Sequence, residues 1–267
     1  MTITFEVEKI VKYLEKYKSD LPILYNWNAK IGRLVELETL TEEQVKQINT
    51  LTNFEKELQL KNIVGQKLND TLKTNKELFD KLCLWVIKDW GGITTAKDND
   101  TLSLIKDFLN HDKPSFKRIA SSSKVGAYMF PKKNVIYDSR VAYALNWIIL
   151  SENAGQKYFP IPEGRNSKMV AFDLNVLIRL KNIKNYQITD IKHLDHRLFI
   201  QNCDKKIFIN KKDAYSELNK LVKQINVKLW NGENNKEENL YYTEMLLFSI
   251  ADREVFRDIT TLYGTVN

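Results

Sequence analysis

Asp138 is the only acid between residues 113 and 150, a stretch that also holds Lys113, Lys117, Arg118, Lys124, Lys132, Lys133 and Arg140 for a net charge of +6. A carboxylate ringed by cations is favoured in its ionised form. Downstream of it, Val141, Ala144, Leu145, Ile148 and Ile149 recur at helical spacing, which predicts a helix over 138–150. Asp138 then opens that helix, with one oxygen bound to backbone donors and its charge aimed outward. Upstream, the pattern predicts two short helices, 115–119 and 124–130, joined by a tight turn through Ser121, Ser122 and Ser123. The free N–H groups of the helix opening at Lys124, backed by its dipole, suit a phosphate. A lysine at that position is also nearer to a neutral, nucleophilic amine. Two plainer roles stay open: Asp138 as an ordinary cap, and Lys124 as a phosphate-binding cation.

The charge is unevenly spread. Residues 157–184 carry six cations, among them Arg165 and Lys168, against Glu163 and Asp173, a net of +4. Since the whole chain is +7, everything outside these two stretches is net −3. A basic face on an acidic body is the footprint of a polyanion partner, and DNA is the partner expected. A merely solvated charge run is the plainer alternative.

The elements that must position these groups are read from periodicity. Helices are expected over 3–18, stopped by Pro22, then over 24–37, over 41–68 behind Thr41, over 76–90 up to Gly91-Gly92, and over 100–109. Residues 131–137 read as an extended loop and 154–168 as another, followed by a helix to about 180. At most one short strand is expected, near 206–210. Helices over 213–230 and 240–258 close the chain, separated by a polar linker at 231–239. With 9 Gly and 5 Pro in 267 residues there is little punctuation for many strands, so the class is all-α, as one domain spanning 1–267.

Other chemistries are poorly supplied. Cys83 and Cys203 show no CxxC spacing and the three histidines form no ligand set, so no metal and no disulfide framework are expected. No P-loop, GxSxG or HExxH motif occurs, and no cofactor is expected. The charged N-terminus lacks a signal core, and the longest apolar run, 144–150, is too short to span a bilayer. A cytoplasmic monomer is the expectation.

The segment FKRIASSSKVGAYMF (116–130) followed by VIYDSRVA (135–142) resembles the helix-hairpin-helix superfamily of base-excision DNA glycosylases, most closely its 8-oxoguanine glycosylase-like branch. Ile119 fits the apolar turn position, Lys124-Val125 the Lys-Val that opens the second hairpin helix, and Asp138 with Val141 the start of the catalytic helix. Serines 121–123 stand where the family carries glycines. The likeness covers residues 113–150.

The resemblance implies a two-lobed helical fold with a base pocket in the cleft between the lobes. It implies that Asp138 and Lys124 are the catalytic pair, with Lys117, Arg118, Ser121, Ser122, Ser123, Arg140, Arg165 and Lys168 toward DNA. The chemistry suits those residue types. Breaking an N-glycosidic bond builds positive charge on the sugar, which a fixed carboxylate stabilises. Attack by a lysine would give a Schiff base and strand cleavage; otherwise Asp138 and water suffice. The base must leave the stack, and Trp85, Trp90, Tyr128, Tyr143 or Trp147 would line its pocket. Rival functions are a DNA-binding protein without chemistry and an interaction scaffold.

Overall fold

Apolar periodicity produces helices almost everywhere it occurs, and the computed structural model describes residues 3–162, 169, 172–182 and 205–264. Among them there are fourteen α-helices and no β-sheet, only two isolated bridges. The fold is all-α. The stretch near 206–210 contributes a 3₁₀ turn and one bridge, Tyr158 to Phe208, rather than a strand.

The first helices are α1 (Val7–Glu15), α2 (Leu21–Leu24), α3 (Arg33–Glu36) and α4 (Glu42–Asn49). Next come α5 (Asn53–Thr74), α6 (Lys76–Trp85), α7 (Asp98–Asn110), α8 (Ile119–Met129) and α9 (Ser139–Ser151). After these stand α10 (Leu174–Asn182), α11 (Lys211–Leu229), α12 (Asn234–Glu238), α13 (Tyr241–Ile250) and α14 (Glu254–Gly264).

Several boundaries differ from the periodicity for local reasons. Pro22 sits in the first turn of α2, where its missing N–H costs nothing. The helix expected over 24–37 is mostly loop with α3 at its end. The helix expected over 41–68 is two, because Thr41 and Thr52 each build a capping box, with Gln44 and Glu55. The linker at 231–239 contains α12, and the last expected helix is broken into α13 and α14.

Buried apolar side chains form two clusters. One gathers residues of α1, α2, α9, α11, α13 and α14; the other gathers residues of α3 to α8. Helix α8 links them, with Ile119 in the first cluster and Val125 to Met129 largely in the second. Gly65 of α5 lets that helix approach α8 closely: a Cβ there would sit 2.4 Å from the Tyr128 carbonyl oxygen. The extended segment after α8 alternates between the clusters, Val135 and Tyr137 facing the first and Ile136 the second. Asp138 follows at once and therefore stands at the seam.

The expected hairpin is not formed. Helix α8 starts at Ile119 and runs unbroken through the three serines, preceded by Arg118 in a left-handed conformation (φ 53°). The turn is thus made at Arg118. Serines tolerate a helix interior when their hydroxyls bond back, and Ser123 Oγ does so, donating to the Ile119 carbonyl at 2.6 Å. Without the family's glycines nothing breaks the helix at 121–123.

Candidate active site

Three consecutive N–H groups of the extended segment are each held by a side chain from a different helix. Val135 N donates to Asn219 Oδ1 of α11 at 2.8 Å, Ile136 N to Glu244 Oε2 of α13 at 3.2 Å, and Tyr137 N to Ser123 Oγ of α8 at 3.0 Å. This fixes the approach to Asp138, which caps α9: its Oδ1 accepts from Arg140 N at 2.8 Å. The carboxylate lies at the positive end of the α9 dipole, a setting that favours negative charge.

Lys124 lies in the interior of α8, not at its N-terminus as the hairpin reading required. It is 6% exposed, and its Nζ donates to the Ala120 carbonyl one turn back at 2.6 Å. Burial holds its ammonium below the usual lysine range. Asp138 and Glu244 oppose that shift and Lys61 adds to it. The depressed basicity expected of Lys124 therefore has burial as its main cause, not a helix dipole.

Both groups line one cavity of about 180 Å³. Its walls are aromatic, from Tyr25, Trp27, Trp90 and Phe248, and its polar groups are Lys124, Asp138, Ser139, Arg140 and Glu244. A π-helical turn, Val86–Trp90, continues α6 and shapes one wall. Gly91 N reaches back five residues to the Val86 carbonyl, and the Trp90 carbonyl accepts the Trp27 indole N–H at 3.0 Å. Gly91 must be small, since a Cβ would meet the Ile87 oxygen at 2.7 Å and Lys124 Cε at 3.1 Å. On the opposite wall the Arg140 guanidinium lies over the Phe248 ring at 4.7 Å and Nε pairs with Asp252 at 3.1 Å.

A wider groove of about 880 Å³ shares Gly91, Lys124, Asp138 and Ser139 with this cavity. Its charged lining is Lys117, Arg118, Lys124 and Lys211 against Asp138 alone. Lys117, Arg118 and Lys211 have no acid partner among the described residues, while Lys113, Lys132 and Arg140 are paired with Asp213, Glu238 and Asp252. Three of the seven cations of 113–150 are thereby neutralised by acids from elsewhere in the chain, and of the other four, Lys117, Arg118 and Lys124 line the groove.

The other expected site residues divide. Trp90 lines the cavity, but its indole is tied down, Nε1 donating to Glu57 Oε2 at 2.8 Å. Trp85 and Trp147 are core residues, one in each cluster and both enclosed, so neither lines a pocket for a base. Tyr128 is also withdrawn: its hydroxyl donates to Glu57 Oε1 at 3.2 Å and its ring packs edge-on against Trp90. Tyr143 donates to the Phe172 carbonyl at 2.8 Å, away from the cavity. The assignment of Trp85, Tyr128, Tyr143 and Trp147 to the base pocket is corrected accordingly. Ser121 reaches the groove, whereas Ser122 and Ser123 are buried in α8 and cannot present a phosphate-binding turn. Arg165 and Lys168 lie outside the described residues.

Sequence reading missed Tyr25, Trp27, Glu244 and Phe248. The available signal was the i, i+4 pair Glu244 and Phe248 on one apolar helix, an acid where a hydrophobic residue would otherwise stand. Among the described residues no group of His, Cys, Asp and Glu is arranged to hold a metal ion, and no helix is long and apolar enough to cross a membrane. Compared with protein-family models, with curated proteins and with solved structures, the chain matches none.

Proposed function

We propose that this protein is a DNA glycosylase-like enzyme that excises a damaged or modified base by cleaving its N-glycosidic bond. The observation that carries the reading is that Lys124 and Asp138 stand on the shared wall of an aromatic cavity and a basic groove. Strand phosphates fit the groove, an extruded base fits between Trp27, Trp90 and Phe248, and the sugar then falls beside the two catalytic groups. Asp138 stabilises the sugar cation that develops as the base departs. If the Lys124 amine attacks C1′, the product is a Schiff base and the strand is cleaved in a lyase step. If water attacks, an abasic site remains and Lys124 serves as a cation.

The test uses duplexes that each bear one oxidised, alkylated or deaminated base, with released bases read by mass spectrometry and borohydride present to trap a Schiff base. Wild-type protein is expected to release one of these bases. Lys124→Gln is expected to abolish any trapped adduct. Tight DNA binding without release of any base would favour instead a binding protein that uses the same groove, and absence of binding at low salt would sink both readings.

A further inference from the structure

The cavity holds a second carboxyl group that the reading above leaves idle. Glu244 is 5% exposed and sits in the first turn of α13, followed by the apolar run Met245 to Phe248. Its Oε2 accepts the Ile136 N–H at 3.2 Å; Oε1 takes no hydrogen bond among the described residues and is left for an occupant of the cavity. Asp138, which also accepts one backbone N–H, differs in exposure: it is partly exposed and lies on the groove side as well as in the cavity. Two carboxyl groups in one cavity with unlike surroundings take unlike roles.

We infer that Glu244 is the general acid of the proposed excision, handing its carboxyl proton to a ring nitrogen or exocyclic oxygen of the departing base. The inference rests on the glycosylase reading and assigns the one proton transfer that reading leaves open. As the C1′–N bond breaks, its electron pair goes to the base and the Glu244 proton neutralises it. The Lys124 amine or a water oxygen forms the new bond to C1′. The proton lost by that nucleophile passes to Asp138, and exchange with solvent restores both carboxyl groups.

The surroundings of Glu244 support an acid form near neutrality. Burial pushes its carboxyl up to about 7, Glu57 and Asp138 adding to the shift while Lys61 and the Ile136 N–H oppose it. The other ionisable groups coupled to it are Lys124, Tyr25, Tyr128 and Tyr215. An acid of that strength is half available at physiological pH, which is where general acid catalysis is most efficient.

The experiment compares wild type, Glu244→Gln and Glu244→Asp on two probes: the substrate duplex found above, and a duplex with a preformed abasic site. Wild-type single-turnover excision should fall as pH rises through about 7. Glu244→Gln, which has no acidic proton to give, should excise roughly 10²-fold or more slowly and lose that pH dependence. Glu244→Asp should recover part of both. Binding of the abasic duplex needs no departing base, so Glu244→Gln should weaken it far less than it slows excision. Unchanged excision in Glu244→Gln would overturn the assignment, as would an equal loss of binding to the abasic probe. Wild-type protein that releases no base from any duplex would overturn the glycosylase reading itself, and this one with it.

Discussion

Two buried glutamates, Glu57 and Glu244, have opposite fates. Glu57, on α5 and 1% exposed, accepts from the Trp90 indole at 2.8 Å and the Tyr128 hydroxyl at 3.2 Å, and forms an ion pair with Lys61 Nζ at 3.4 Å. Lys61 in turn sits among the rings of Trp90, Tyr128 and Tyr241. Glu244 on α13 has, among the described residues, a single backbone donor, on Oε2, and lines a cavity. A buried carboxylate with both oxygens held by side-chain donors is structural, since both are already engaged. One with an open valence at a cavity wall keeps its chemistry for an occupant. The contrast separates a framework that holds the Trp90 wall from the groups that act inside it.

The largest expected effect breaks the framework side. Glu57→Ala leaves Lys61 buried beside rings without its nearest counter-charge, and thermal or denaturant unfolding should show a loss of about 3–5 kcal/mol. If stability changed by less than about 1 kcal/mol, Glu57 would not be the structural member of the pair. Next comes Asp138→Asn. Asparagine caps a helix about as well as aspartate, so stability should hold within about 1 kcal/mol. Excision should nevertheless fall by about 10²–10³-fold, as when a preorganised charge is removed from a transition state. A marked loss of stability with activity retained would reduce Asp138 to a cap.

A smaller effect sharpens the Glu244 side and needs no substrate. The folded carboxyl is raised from 4.5 to about 7, so the native state binds the extra proton across that interval. Native stability contributed by this group is therefore full below about 4.5 and falls as pH rises toward 7. Glu244→Gln removes the titration. Its unfolding free energy should exceed that of wild type at pH 8 by up to about 3 kcal/mol, with the gap closing by pH 5. The smallest effect concerns the groove: Lys117→Ala should weaken binding to all duplex sequences alike and lower the slope of log affinity against log salt by about 1.

Legibility followed the range of the interactions involved. The helical class, the apolar face of α9 and the capping role of Asp138 are set by residues within a turn or two of one another, and periodicity reads them correctly. The hairpin failed at the same range, because three serines were given the turn role of glycines although their hydroxyls can be satisfied inside a helix. The cavity lies beyond local pattern. Tyr25 and Trp27 come from a loop that periodicity takes for helix, and Glu244 and Phe248 come from a helix more than a hundred residues after Asp138. The aromatic residues near the motif were instead drawn into the cores or into the Glu57 network, where their areas are most fully buried.

The π turn at Val86–Trp90 carries a consequence for how this wall can change over time. Such a turn is an α-helix with one residue too many, and deleting a residue anywhere within it restores the ordinary repeat. Because the wider turn already absorbs the extra residue, the chain on either side would keep its direction and only the backbone at Val86–Trp90 would be redrawn. The Trp90 carbonyl would turn from Trp27. A single in-frame codon loss therefore resets the size and lining of the cavity while α5, α8 and α9 stay where they are, which makes this turn the cheapest place for a lineage to retune what the cavity admits.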